Sequence, residues 1–454
     1  MSRTVEVDYL VVGAGAMGMA FTDALIEHAD ARVALVDRRH GVGGHWLEAY
    51  PFVRLHQSSA FYGVPSTLLG GGQLQQHGPE KGLQERATQA EICAYYARIL
   101  ERMVESGKVE FFPNSEYAGD GTVVSRISGE RFEMPGARVV DARYLAPSIP
   151  AEKPPPFGVA EGARVLPVND LARLEETPSQ YVIVGSGKTA TDACIWLLSR
   201  GVDPDAICWV RPRDPWMLNR ALIQPDPAIF LGMAADTMQI AERSTSLEDL
   251  FLRLEDAGIM MRIDRTVMPT MAKAPTLAMW ELEQLRTLEN VVRRGHIRQV
   301  DRGSLTFADG SLAIADDALV VHCAADGLKY PPLLPVWRPE AITLQPIRAG
   351  FPCFGAAVTG YVEATRDADA EKNRLCPPSP FPDTMATWAM MNVLGTQAAM
   401  SFSSEPDIKA WSDGVALNPA RVPPGYPASA ALDDARERLA KHTKSGLAQL
   451  AQLT

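Results

Sequence analysis

Val11-Val12-Gly13-Ala14-Gly15-Ala16-Met17-Gly18 decides how this chain is read. The run before it, Tyr9-Leu10-Val11-Val12, is short, apolar and partly β-branched, as a buried parallel strand would be. Gly13 permits a tight turn, Gly15 lets the backbone approach a pyrophosphate, and Gly18 allows close helix–strand packing. Met19 to His28 then reads as a helix with Ala20, Phe21, Ala24 and Leu25 inward. Its N-terminus offers free N–H groups and a positive dipole end to phosphates. A second strand from Ala31 to Val36 ends at Asp37, 24 positions after Gly13. A carboxylate about 20 positions on is where ribose hydroxyls are bound.

The same pattern returns at Val182-Ile183-Val184-Gly185-Ser186-Gly187-Lys188-Thr189-Ala190. Gln180 to Val184 reads as a buried strand, and Gly185-Ser186-Gly187 opens a helix that ends near Gly201, a C′ glycine. Gly187-Lys188-Thr189 is not a P-loop, because Val182 stands where that motif needs a glycine. The strand Ala206 to Val210 ends not in an acid but at Arg211, 26 positions after Gly185, with Arg213 close behind. An arginine there favours a ribose carrying a 2′-phosphate. A solvated arginine pair is the plainer alternative. Lys188 could add a second cationic contact, although a lysine at a helix N-terminus more often stays in water. Two such turns point to two dinucleotides held face to face.

Composition bounds the rest. The 454 residues suffice for two or three domains. The chain is 46% hydrophobic and 22% charged, ordinary for a globular protein. A net charge of −11 argues against general nucleic-acid affinity. No apolar run approaches the ~20 residues of a membrane span. The N-terminus leads into a strand with no secretory h-region, so the expected compartment is the cytoplasm. The six cysteines are scattered with no Cys-x-x-Cys pair, which speaks against a redox-active disulfide and fits a reducing compartment. The eight histidines form no metal-ligand spacing, and no metal is expected.

After Asp37 comes Arg38-Arg39-His40-Gly41-Val42-Gly43-Gly44-His45-Trp46, and then Ala49-Tyr50-Pro51-Phe52-Val53-Arg54-Leu55-His56-Gln57-Ser58. The glycine pair after the acid, the Gly-Gly-x-Trp ending and the Tyr-Pro segment resemble the flavin-containing and Baeyer–Villiger monooxygenases, the class B flavin monooxygenases. The resemblance covers roughly residues 5 to 215. It implies FAD at Gly13, Gly15, Gly18, Asp37, Arg38, Gly44 and Trp46. It implies NADPH at Gly185, Ser186, Gly187, Lys188, Thr189, Arg211 and Arg213. By the same resemblance His56, Gln57 and Ser58 are candidates for the flavin's reactive face. A structural histidine bonded to backbone is the alternative for His56. Thr88 to Ser106 reads as an amphipathic helix followed by the strand Val109 to Phe112, which in that family complete the FAD domain. The chain departs from the family at Ala163 to Asp170, where the fingerprint histidine is missing. Ala318 to Gly327 looks like a modified second linker.

The expected fold is α/β, with two Rossmann-like dinucleotide-binding domains, a helical insertion and a helical C-terminus. Residues 1–150 are expected to form the first part of the FAD domain, ending in a stiff proline linker. Residues 151–335 hold the NADPH domain with a mostly helical, methionine-rich insertion at 215–295, including Leu247 to Leu254 and Leu277 to Val292. Residues 336–454 return to the FAD domain and end in helices. There Phe351 to Gly355 resembles the last strand, and Ala356 to Tyr361 is expected near the ring. Asp309-Gly310 reads as a hairpin turn. His28 and His442 read as solvated. Asp433 to Leu453 is a final amphipathic helix that closes the fold or joins a second subunit. No repeat is visible beyond the two glycine turns.

The resemblance implies a monooxygenase. NADPH would reduce FAD, and the reduced flavin would take O₂ to a C4a-(hydro)peroxide that places one oxygen on a small organic substrate. Two alternatives stay open. One is an NADPH-dependent flavin oxidoreductase without oxygenation, favoured by the missing histidine. The other is a non-catalytic flavin-binding redox sensor.

Overall fold

The computed structural model describes residues 2–324 and 329–454. The second linker's Ala325, Asp326 and Gly327 lie outside the described residues. Two five-stranded parallel sheets organise the chain. The first runs, edge to edge, through Ile342–Thr343, Arg138–Asp141, Tyr9–Val12, Val33–Val36 and Val109–Phe112. The second runs through Arg164–Pro167, Leu319–His322, Tyr181–Val184, Ile207–Val210 and Val291–Val292. The central strands Tyr9–Val12, Val33–Val36, Tyr181–Val184 and Ile207–Val210 are apolar throughout because a parallel sheet is covered on both faces. The helices in chain order are α1 (Ala16–His28), α2 (Gln89–Glu105), α3 (Lys188–Ser199), α4 (Pro227–Arg243), α5 (Leu247–Asp256), α6 (Met279–Leu285), α7 (Pro352–Thr365), α8 (Asp369–Leu375), α9 (Met385–Ser403), α10 (Pro406–Gly414) and α11 (Ala430–Gln452). Among the described residues no helix is long and apolar enough to cross a membrane.

The repeat is larger than the glycine turns that announce it. Each unit runs strand, glycine turn, helix, strand, long excursion and third strand. A three-stranded meander and a fourth strand complete it. The meanders are 115–119, 122–125 and 131–133 in the first unit, and 299–301, 304–307 and 310–313 in the second. The second meander contains the expected hairpin, with Phe307 paired to Gly310. No sequence similarity outside the turns reveals this, because meanders need only alternating burial and a turn residue. The helix expected over Thr88 to Ser106 is α2. Thr88 and Glu91 form a reciprocal capping box that sets its start, and Ile92, Tyr95, Tyr96, Ile99 and Met103 are buried.

Four expectations need correction. The insertion is not mostly helical. It contains a mixed three-stranded sheet of Pro215–Asn219, Met260–Arg262 and Met271–Leu277 beside α4, α5 and α6. The helix expected from Leu277 to Val292 ends at Leu285, and Val291–Val292 forms the outer strand of the second sheet. Phe351 to Gly355 is not the last strand of the first sheet, and Ala356 to Tyr361 is helical. The strand is Ile342–Thr343, and Pro352 opens α7. Residues 353 to 363 of α7 are all buried, so no polar face betrays its period. A Cβ on Gly360 would sit 2.5 Å from the Phe21 carbonyl oxygen, which shows how closely α7 lies against α1. His442 is buried, not solvated, and its ring bonds Glu242 where α11 packs along α4. His28 is exposed, its ring edge-on to Tyr361.

Candidate functional site

The two glycine turns share one hydrogen-bonded frame. Gly13 N–H donates to the Val36 carbonyl at 2.8 Å, and Gly185 N–H to the Val210 carbonyl at 3.0 Å. Both glycines have positive φ, +109° and +140°. Gly15 and Gly187 cap α1 and α3 with extended backbone and no side-chain acceptor, so the first N–H groups of each helix are left for a ligand. A Cβ on Gly187 would meet nothing within 4 Å, so the approach is open. These are cradles of the kind a pyrophosphate fills, and both dinucleotides fit them.

The first turn is held from above and below. Asp37 accepts from Ala14 N–H and from Arg39 N–H, both at 2.8 Å. Gly43 N–H donates to the Ala14 carbonyl at 2.9 Å, and a Cβ on Gly44 would lie 3.1 Å from Gly15 Cα. The glycine pair is therefore a second wall of the cradle. Trp46 is buried and donates Nε1–H to the Tyr62 hydroxyl at 2.6 Å. Arg38 turns to Glu152 at 3.0 Å, and Arg39 reaches the same carboxylate, tying the proline linker to this unit.

The second turn is built differently at its far end. The Arg211 side chain is only 1% exposed. Its guanidinium lies 2.7 Å from Asp214 and 4.5 Å from the Trp209 ring centroid. Arg213 is the accessible cation, and its backbone N–H donates to Ser186 Oγ at 3.3 Å. Its guanidinium lies 3.7 Å from Asp383, which also holds Lys273 at 3.2 Å. Lys273 carries no local signal that would have singled it out. Lys188 is not in open water. It pairs with Asp192 on its own helix and lies 4.0 Å from Glu281. Asp192 also accepts from the Tyr50 hydroxyl at 2.8 Å, and Thr189 lies beside that hydroxyl. Phe52 stacks on Trp196 at 4.7 Å, so the Tyr-Pro segment docks on α3.

Between the turns lies a buried chain of charges absent from the sequence reading. Arg86 binds Glu80 at 2.7 Å, and Glu80 binds Arg220. Arg220 binds Glu281 at 2.7 Å, and its Nε–H donates to the His56 carbonyl at 2.8 Å. Arg220 is 1% exposed. Burial pushes the Glu80 carboxyl up, and Arg86 and Arg220 outweigh it, bringing it down to about 2. Arg86, Arg220 and Lys188 balance Glu80, Glu281 and Asp192. The chain joins the loop of the first unit, α3 of the second and the insertion.

His56, Gln57 and Ser58 border this junction. Burial, then Lys188, Arg220 and Arg86, lower the His56 imidazole to about 3, so it is neutral at neutral pH. Its Nδ1 is buried with no partner among the described residues. A buried polar atom without a partner is costly unless a ligand meets it. Gln57 is buried. Ser58 Oγ accepts from Ala60 N–H at 3.3 Å and caps the short turn Ser59–Phe61. His45, which sequence reasoning passed over, is lowered to about 4 by burial and Arg39.

The Mycobacterium tuberculosis protein Rv2000 and the Mycobacterium bovis protein Mb2023, both described as uncharacterized, are each 41% identical over 421 residues. The match spans 92% of this chain and 78% of theirs. The chain belongs to the family of these mycobacterial proteins. A family model described as an NAD(P)-binding Rossmann-like domain matches residues 11–62, the stretch from the first glycine turn through Tyr62. Among solved structures, the polycyclic ketone monooxygenase of the thermophilic fungus Thermothelomyces thermophila aligns with a TM-score of 0.52. It is 14% identical and covers 98% of this chain and 89% of its own. The fold is thus the α/β fold of the flavin monooxygenases, with two Rossmann-like units.

Proposed function

We propose that this protein is an FAD-dependent, NADPH-driven monooxygenase acting on a small organic substrate. The observation that carries the reading is the pair of uncapped glycine-turn helices, in two units, joined through one buried junction. When bound, FAD would supply hydride acceptance and oxygen activation. The chain's own residues would do the rest. Gly13, Gly15, Gly18 and Gly44 would hold the FAD pyrophosphate by backbone, with Asp37 at the ribose. Gly185, Ser186 and Gly187 would hold the pyrophosphate of NADPH. Arg213, with Lys273 beside it, would meet the 2′-phosphate in exchange for Asp383. Arg211 lies below that surface, held by Asp214. Lys188 and Thr189 would border the nicotinamide half from α3.

His56 would face the flavin as a neutral imidazole with Nδ1 free for a hydrogen bond. The ion-pair chain from Arg86 to Asp192 would fix its backbone and keep water out. No acid–base dyad is required of the protein, because the cofactor carries the difficult chemistry. The decisive experiment supplies NADPH and ¹⁸O₂ with a panel of ketones, amines and thioethers. The expected result is one ¹⁸O atom in an organic product. Flavin turnover that yields only reduced oxygen species across the panel would favour the oxidoreductase without oxygenation. The absence of the fingerprint histidine at Ala163 to Asp170 supports keeping that second reading under test.

A further inference from the structure

The peptide joining His56 to Gln57 is held on one side and free on the other. Thr276, buried near the end of the insertion strand Met271–Leu277, donates its hydroxyl to the His56 carbonyl. Arg220 Nε–H donates to the same oxygen at 2.8 Å, so both lone pairs of that carbonyl are taken. Arg220 also reaches the Thr276 hydroxyl oxygen at 3.3 Å and its carbonyl at 3.2 Å, which turns the hydroxyl proton toward His56. The ends of the segment are fixed as well. Leu55 N–H donates to the Ala87 carbonyl at 2.9 Å, and Ser59 N–H to the Glu85 carbonyl at 3.0 Å.

Between those anchors the donors are idle. Among the described residues the backbone N–H groups of His56, Gln57 and Ser58 meet no acceptor, and the Gln57 side-chain amide has no hydrogen bond. Gln57 is only 7% exposed, whereas His56 beside it is half-buried with Nδ1 unpartnered. Buried N–H groups are almost always paired, so a run of idle donors marks contact with a ligand. The peptide is trans, and the N–H of a trans peptide points opposite to its carbonyl. The two bonds that hold the His56 carbonyl therefore aim the Gln57 N–H away from the insertion.

We propose that the Gln57 backbone N–H is a hydrogen-bond donor to the flavin ring, and that Thr276 is the positioning residue that fixes its direction. This rests on the flavoprotein reading and deepens it: a residue of the insertion, more than 200 positions from the first glycine turn, sets a donor in the first unit. A donor fixed in advance needs no reorganisation when charge develops opposite it. It favours the electron-richer reduced ring and so raises the flavin midpoint potential.

The test is reductive titration of the FAD-loaded protein against a redox dye under nitrogen, with no NADPH, oxygen or substrate. Thr276→Val should shift the two-electron equilibrium about tenfold toward oxidised flavin, about 30 mV. Thr276→Ala, which sets no methyl group against the carbonyl, should shift it the same way, and Thr276→Ser should keep the parent potential. In a His56→Ala background the Thr276→Val shift should recur, because the peptide carbonyl remains. An unchanged potential in both donor-free variants overturns the proposal. So does a shift in Thr276→Ser as large as that in Thr276→Val, which would leave only packing. A shift that vanishes in the His56→Ala background overturns it too, by handing the effect to the imidazole. A parent chain that binds no FAD overturns the flavoprotein reading itself, and the proposal with it.

Discussion

The two glycine-turn units differ least at the turns themselves and most where they end. In the first, the Gly13 carbonyl oxygen would lie 1.9 Å from a Cβ on Gly18, so only glycine fits. In the second, Trp209 Nε1–H draws the Gly185 carbonyl into a hydrogen bond at 2.8 Å, and position 190 carries a methyl group. In the first, the residue after the second strand is an acid turned inward on the turn itself. In the second it is an arginine turned under the strand to Asp214, which leaves the surface role to Arg213. Equivalent frames thus end in different side chains, an inward acid in one and a buried arginine in the other.

The largest expected effect lies where the units meet. Arg220→Met leaves Glu80 and Glu281 buried and short of a partner, and breaking a buried pair costs about 3–5 kcal/mol. Chemical denaturation should show that loss, and an unchanged midpoint would separate the junction from stability. Next comes the contrast between the turns. Gly18→Ala should cost about 3 kcal/mol through overpacking and empty the flavin site. Ala190→Gly should cost only about 0.5–1 kcal/mol. Thermal melts and bound-FAD absorbance of the two variants check this.

A third prediction concerns pH. Glu80 titrates near 2 in the folded chain against 4.5 unfolded. Its contribution is therefore complete above about pH 5 and is lost as pH falls from 4.5 towards 2. The shift corresponds to on the order of 3 kcal/mol. Urea titrations from pH 3 to 7 should show a shallower acid-side decline for Glu80→Gln than for the parent, and parallel declines would contradict it. The smallest effect separates the two arginines. Arg213→Ala should raise the NADPH KM about tenfold, roughly 1.4 kcal/mol, with little change for NADH. Arg211→Met should leave the NADPH:NADH ratio unchanged. A reversal would move the 2′-phosphate to Arg211.

What was legible in the sequence was what is local. The glycine turns, Asp37, the helix starting at Thr88 and the Gly-Gly pair each depend on nearby residues, and each lies where its spacing placed it. The start of α7, Phe351 to Gly355, was read as a strand because burial on every face erases periodicity. The outer strand Val291–Val292 is two residues long and has no pattern to show. The junction was invisible for a different reason. His56, Glu80, Arg220 and Glu281 meet only after the insertion folds back on the first unit, and a charge looks the same in sequence whether buried or exposed. Arg211 illustrates the converse: its position after the strand was readable, but its direction was set by Asp214, three residues on.

The central claim is that two unequal sites feed one flavin. Anaerobic stopped-flow mixing of the FAD-loaded protein with NADPH and with NADH, followed by flavin absorbance, tests it most directly. The account predicts full bleaching, faster and at lower concentration with NADPH. Bound flavin that neither nucleotide reduces, or that both reduce equally well, would contradict it.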